Sequence, residues 1–196
     1  DLVSDLLELA QLKQAQDQQA VQVSPQDMAG ILEEVCDLLR QQAHEKGQRL
    51  EVEILDRPVI QADRDHMRQI WTNLISNAIK YTPKEGRISV KLQRDEDHLT
   101  GVVEDTGIGI AEDEMKYLFQ EFFRSEEAKE SGEICTGLGL SIVKQIVDAY
   151  VGEIKATTRP GQGSRFAFVL PLSRSPSRGG PDLAKVEDRR PGAHTT

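Results

Sequence analysis

Apolar residues recur along the chain at two spacings, one helical and one alternating. Leu2, Leu6 and Leu9 share a stripe with Lys13, flanked by Val3, Leu7 and Ala10, which predicts a helix over residues 1–20. A helix this short is marginal alone, so its stripe calls for a partner helix from the same chain or a second copy. Residues 14–22 are Gln-rich and read as a linker. Ser24 as cap and Pro25 in the first turn predict a second helix. Met28, Ile31, Leu32, Val35, Leu38 and Leu39 carry it to about His44, and Gly47 stops it. Leu50, Val52 and Ile54 alternate as a strand, and Val59 and Ile60 mark a short one. Asp63 caps the next helix, whose face of Met67, Ile70, Trp71, Leu74, Ile75, Ala78 and Ile79 runs to Tyr81. Pro83 and Gly86 break it.

Beyond that break, Ile88, Val90 and Leu92 alternate, as do Leu99, Gly101 and Val103, predicting an antiparallel pair across residues 95–97. A Gly-containing turn at 105–109, a short helix at 112–119 and a polar loop at 124–136 follow. Residues 138–150 read as a helix, and 152–158 and 165–170 as strands joined by a Pro160-Gly161 turn. From Ser173 the chain is rich in Ser, Pro, Arg and Gly, without period, and is expected to be disordered. The pattern predicts an α/β (α+β) two-layer sandwich, with helices on one face of a mixed, mostly antiparallel sheet and a helical segment before it. The expected division is residues 1–23, 24–172 and 173–196.

Composition narrows the function. The chain has 196 residues, 29% of them charged, and a net charge of −9. That balance argues against a nucleic-acid binder and against docking on an anionic membrane. No apolar run approaches the roughly 18–20 residues of a membrane span. No basic start marks a signal peptide, and with no initiator Met the chain is expected to be part of a longer protein. Cys36 sits at helical spacing among apolar residues and reads as buried; Cys135 lies in a polar stretch and reads as exposed. Two distant cysteines make neither a disulfide framework nor a metal pair, which fits a reducing, cytoplasmic setting.

Four clusters could carry chemistry. Asn73 and Asn77 lie one helical turn apart with Lys80 on the same side, which is either a polar solvent face or a site where hard amide oxygens meet magnesium and phosphate. Asp105-x-Gly107-x-Gly109 is an ordinary turn or a pocket edge whose carboxylate accepts from an exocyclic amine. Gly137-Leu138-Gly139-Leu140 opens an apolar helix, as a flexible entry or as a phosphate-binding N-terminus. Phe119, Phe122 and Phe123 fit a core better than a ligand contact, and Arg124 beside them faces phosphate or solvent.

In this order the clusters resemble the ATP-binding catalytic domain of sensor histidine kinases, a superfamily shared with DNA gyrase, the mismatch-repair ATPase and the ninety-kilodalton heat-shock chaperone. Asn73-Leu-Ile-Ser-Asn77-Ala-Ile-Lys80-Tyr81-Thr-Pro resembles the asparagine box, Asp105-Thr-Gly107-Ile-Gly109-Ile the first glycine box, Leu118-Phe119-Gln-Glu-Phe122-Phe-Arg124 the phenylalanine box, Thr136-Gly137-Leu138-Gly139-Leu140 the second glycine box, and Gly161-Gln-Gly163-Ser164 the last strand. The resemblance covers roughly residues 1–172.

It implies ATP and Mg2+ as ligands. Asn77, with Asn73, would hold the metal and Lys80 contact phosphate. Tyr81 would pack on adenine and Asp105 accept its amine, with Gly107 and Gly109 shaping the pocket. Arg124 to Thr136 would form a lid, and Gly137, Leu138, Gly139 and Leu140 would place N–H groups at the phosphates. The first helix would be the end of a dimerisation and phosphoacceptor hairpin. The implied partner is a response regulator receiver domain, with no nucleic acid.

ATP-hydrolysing relatives carry Glu where this chain has Asn73, and an amide cannot take a proton at neutral pH. Transfer to an imidazole needs no such base. None of the four histidines sits in the family's acceptor motif: His44 reads as a helix-end residue, and His66, His98 and His194 as exposed. The expectation is a kinase core whose acceptor lies upstream; the alternative is a degenerate nucleotide-binding or dimerisation module. Val151 and Cys135 stand where the family has glycine.

Overall fold

A computed structural model describes residues 22–130 and 136–172. The first helical segment, Cys135 and the tail from residue 173 lie outside the described residues. The elements run β1 (Ser24–Asp27), α1 (Met28–Glu45), β2 (Arg49–Ile54), β3 (Val59–Ala62), α2 (Arg64–Tyr81), β4 (Arg87–Arg94), β5 (His98–Asp105), a 3-10 helix (Glu112–Tyr117), α3 (Glu126–Glu130), α4 (Gly139–Ala149), β6 (Glu153–Arg159) and β7 (Gly163–Pro171).

Five strands form one sheet in the order β2-β4-β5-β7-β6. Only β2 and β4 run parallel, as a connection through β3 and α2 requires. Inward positions of the central strands, Ile88, Val90, Leu92, Leu99, Val103, Phe166, Phe168 and Leu170, are buried against α1, α2 and α4. Trp71 of α2 meets Phe168 of β7 edge-on, with ring centroids 5.0 Å apart. Each large apolar side chain so buried contributes about 1.5–3 kcal/mol. On the outer face, Lys91 pairs with Glu53 and Arg165 with Glu104 across neighbouring strands.

The expected sandwich is therefore present, with local corrections. Ser24 and Pro25 do not begin a helix. They form β1, which pairs with β3 in a separate two-stranded sheet, where a proline without an N–H is tolerated at an edge. Asp27 takes the cap instead, accepting the Ala29 N–H at 3.0 Å. Leu38, placed on the buried stripe by period, is exposed, whereas Cys36 is buried as expected. The helix expected at 112–119 is a 3-10 helix. The polar loop at 124–136 holds α3, at whose start the Ala128 N–H donates to Ser125 Oγ and the Glu126 N–H to Glu114 Oε1. His66 and His98 are half-buried rather than exposed, with His66 edge-on to Tyr150.

Candidate functional site

The asparagine helix α2 is set by its N-cap: Asp63 accepts N–H bonds from Asp65 and His66. Its apolar face enters the core, which turns Thr72, Asn73, Ser76, Asn77 and Lys80 toward a cleft of about 560 Å³. The opposite walls are the turn after β5, the segment Phe123–Ser125 with Ala128, and the start of α4. Asn73, Asn77, Lys80, Tyr81, Asp105, Gly109, Arg124, Thr136, Gly137, Leu138, Gly139 and Leu140 all line this one cavity. Gly107 does not; it lies behind the wall and donates its N–H to Asp105 Oδ1 at 2.8 Å. Of the aromatics, Phe123 lines the cleft, Phe119 packs against the core and Phe122 is 56% exposed.

Asp105 is only 8% exposed. Its Oδ1 accepts from Gly107 and, at 3.2 Å, from the Ser164 N–H. No described residue bonds its other oxygen, which leaves one acceptor for a ligand. Burial pushes the carboxyl up to about 6; the two N–H bonds oppose that rise and the Glu104 charge adds to it. The turn carrying Asp105 is stitched to the β6–β7 hairpin. Gly161 N–H donates to Ile108 O at 2.6 Å, and Ile110 N–H to Thr158 Oγ1 at 2.9 Å. Gly163, at φ +90°, lets the hairpin close on this turn, for a Cβ there would stand 1.9 Å from Asp105 O.

At the facing wall α4 begins without a side-chain cap and without an acidic residue in its first turn. Its free N–H groups and positive dipole end are therefore open to an anion. A Cβ on Gly139 would stand 3.1 Å from Asn73 Oδ1, so this helix start abuts the asparagine helix. Asn73 Nδ2 is buried without a hydrogen-bond partner. Among the described residues no cluster of three or more His, Cys, Asp or Glu forms a cation cage. A cation here would rest on amide oxygens, ligand oxygens and water, a donor set that fits magnesium.

Sequence reasoning missed Ser164, which sits in a strand and is brought to Asp105 only by the β5–β7 register. It also missed Thr72, Ser76, Ile108, Ile110, Leu118 and Ile142 on the walls. Thr72 and Ser76 neighbour the asparagines on the polar side of α2, so helical period alone could have found them.

Residues 62–174 match the family described as histidine kinase-, DNA gyrase B-, and HSP90-like ATPase. The chain belongs to this family. Relatives include the circadian input-output histidine kinase CikA of Synechococcus elongatus, 34% identical over 87% of this chain and 23% of that protein. Another is the adaptive-response sensory kinase SasA of the same organism, 34% identical over 80% of this chain and 41% of that one. The chain thus spans less than half the length of these curated relatives. Among solved structures, full-length ShkA in complex with AMPPNP aligns with a TM-score of 0.75 at 31% identity, over 88% of this chain and 35% of that one. The mycobacterial sensor histidine kinase MprB aligns with a TM-score of 0.68 at 29% identity, over 76% of this chain and 97% of that one. CikA and MprB are histidine kinases by name, and SasA is a sensory kinase. No helix of the described residues is long and apolar enough to cross a membrane.

Proposed function

We propose that the cleft binds Mg-ATP and presents its γ-phosphoryl to the imidazole of a histidine on a separate helix, from which an aspartate of a response regulator receives it. The reading rests on one observation. A buried carboxylate with a free oxygen and an uncapped helix N-terminus line one cavity, together with two amides and a lysine. Asp105 accepts the adenine amine and so selects the base, with Gly107 and Gly109 shaping its turn and Tyr81 packing on the ring. The N–H groups around Gly137, Leu138, Gly139 and Leu140 take phosphate oxygens, with Lys80, Arg124 and Thr136 alongside.

Asn77, with Asn73, would hold magnesium through amide oxygens. When bound, the ion offsets phosphate charge. Asn73 has no proton-accepting group, so water in this cleft finds no general base where hydrolysing relatives carry Glu. A neutral imidazole needs none, and positioning with charge neutralisation suffices. ShkA, which aligns over most of this chain, was solved with AMPPNP, and that likeness supports the nucleotide reading.

The same reading makes residues 24–172 the nucleotide-binding domain, residues 1–23 the end of a helical hairpin that dimerises the full-length protein, and residues 173–196 a tail. It sets the domain in the cytoplasm and gives it no role with nucleic acid. Titration calorimetry tests the binding step: Mg-ATP should bind the wild type, and Asn77→Ala should abolish the magnesium-dependent part. Unchanged affinity in Asn77→Ala would remove the assigned role. For the transfer step, the full-length protein incubated with labelled ATP should gain an acid-labile phosphate; a protein that binds ATP and gains none would be a nucleotide-binding module instead.

A further inference from the structure

The last four carbonyls of an α-helix have no partner within it. In α2 they belong to Ala78, Ile79, Lys80 and Tyr81. Ala78 O accepts the Thr82 N–H at 3.0 Å, and Tyr81 O accepts the Ile108 N–H at 3.2 Å. The two between are met by the turn that joins α1 to β2. Gln48 Nε2 donates to Ile79 O at 3.0 Å, and Lys46 Nζ reaches Ile79 O at 3.2 Å and Lys80 O at 3.0 Å. Gln48 Nε2 also donates to Thr82 O at 2.6 Å. Backbone bonds tie the same two segments, from the Glu85 N–H to Lys46 O at 3.3 Å and from the Arg49 N–H to Gly86 O at 2.9 Å.

No local device closes this helix end. The residue after it, Thr82, is extended at φ −86° and ψ 130°, and no left-handed glycine follows as in common C-caps. Gln48 is 7% exposed, an unusual depth for an amide, and Lys46 brings positive charge to the negative end of the helix dipole. Neither side chain lines the cleft, whereas Lys80 and Tyr81, whose helical turn they hold, both do.

We infer that Gln48, together with Lys46, is a positioning residue for the nucleotide site: it closes the last turn of α2 so that Lys80 and Tyr81 stand in place before ligand arrives. The inference rests on the nucleotide reading above. Without the Gln48 amide, the Thr82 carbonyl loses its side-chain donor and Ile79 keeps only Lys46. The turn relieves this by fraying so that its carbonyls meet water. Ligand must then re-order the frayed residues, and fixing one residue's backbone lowers a binding constant by on the order of tenfold.

The test compares Gln48→Leu, Lys46→Met and Lys46→Arg by Mg-ATP calorimetry, with Ile60→Val as a control. Ile60 is buried, lines no part of the cleft and reports general destabilisation. Gln48→Leu and Lys46→Met should each weaken ATP about tenfold. Lys46→Arg should bind nearly as wild type, and the control should keep full affinity. Hydrogen exchange at the Thr82 and Ile108 amides should quicken in Gln48→Leu while that of α4 does not. Wild-type affinity in Gln48→Leu, or a loss in Ile60→Val proportional to its loss of stability, would overturn the inference. If Gln48→Leu does not fold, Lys46→Met decides alone. A wild-type chain that binds no nucleotide would sink the underlying reading instead, and exchange at Thr82 would still report whether the clamp holds the turn.

Discussion

The Ser164 N–H donates to Asp105 Oδ1 at 3.2 Å across 59 positions of sequence. With the Gly107 N–H on the same oxygen, it aims the carboxylate from behind and leaves the other oxygen for the cleft. The arrangement costs stability. A carboxyl held near 6 in the folded chain, against 3.8 as its ordinary value, is forced to ionise while buried. The folded state is destabilised by on the order of 3 kcal/mol above pH 6, and that cost disappears as pH falls through 6 toward 3.8.

Asp105→Asn should therefore be more stable than wild type without nucleotide at pH 8, with the gain shrinking toward pH 4, in urea unfolding at both pH values. The amide keeps the oxygen that accepts from Gly107 and Ser164, so no N–H is orphaned. The same variant should lose ATP affinity by about ten- to a hundredfold, the worth of a hydrogen bond to a charged group. Equal gains at pH 8 and pH 4 would refute burial as the cause of the shift.

Asn73→Glu should raise ATP hydrolysis by the chain, followed as released inorganic phosphate. The carboxylate supplies the proton acceptor that the amide lacks, and a positioned general base is worth roughly a hundred- to ten-thousandfold. A rate unchanged within error would mean that the missing base is not what protects the nucleotide from water.

Gly163→Ala should both destabilise the fold by more than about 2 kcal/mol and weaken nucleotide binding. The new Cβ would stand 1.9 Å from Asp105 O, at a φ of +90° that side chains rarely adopt. Thermal melts and ATP titration read the two effects. Loss of stability with intact affinity would show that the hairpin does not position Asp105.

Val151→Gly should stabilise the protein, with a rise in Tm of about 2–4 °C per kcal/mol gained. Val151 closes α4 in a Schellman arrangement: its own N–H bonds Asp148 O, and the Gly152 N–H bonds Val147 O. The position needs φ +58°, which costs a β-branched residue about 1–2 kcal/mol, and at 82% exposure the side chain recovers little by packing. The departure from glycine thus leaves the turn intact and strains it. A lower Tm in the glycine variant would contradict this.

Where period was strong, the chain could be read closely. Asp63 and Tyr81 bound α2 as expected, since a seven-residue apolar face and an Asp cap agree. Ser24 and Pro25 misled because a distant strand, β3, claims them by backbone pairing that no local signal announces. Residues 124–136 lack periodicity, so α3 within them rests on side-chain bonds at its start rather than on an apolar stripe. Twelve of the thirteen expected site residues line the cleft because each lies in a compact motif whose spacing places it there. Ser164 and Gln48 escaped notice for the opposite reason: one depends on strand register and the other on a turn folding back over a helix end.

The packing of α1 against α2 bears on where this molecule can be cut. The family match begins at residue 62, after α1, β2 and the turn that carries Lys46 and Gln48. Trimming to that span would strip Met28, Ile31, Leu32, Val35 and Leu39 from the common core, bare one side of the asparagine helix, and leave β4 as a raw edge where β2 had covered it. The smallest piece able to stand alone is thus longer than the family match at residues 62–174.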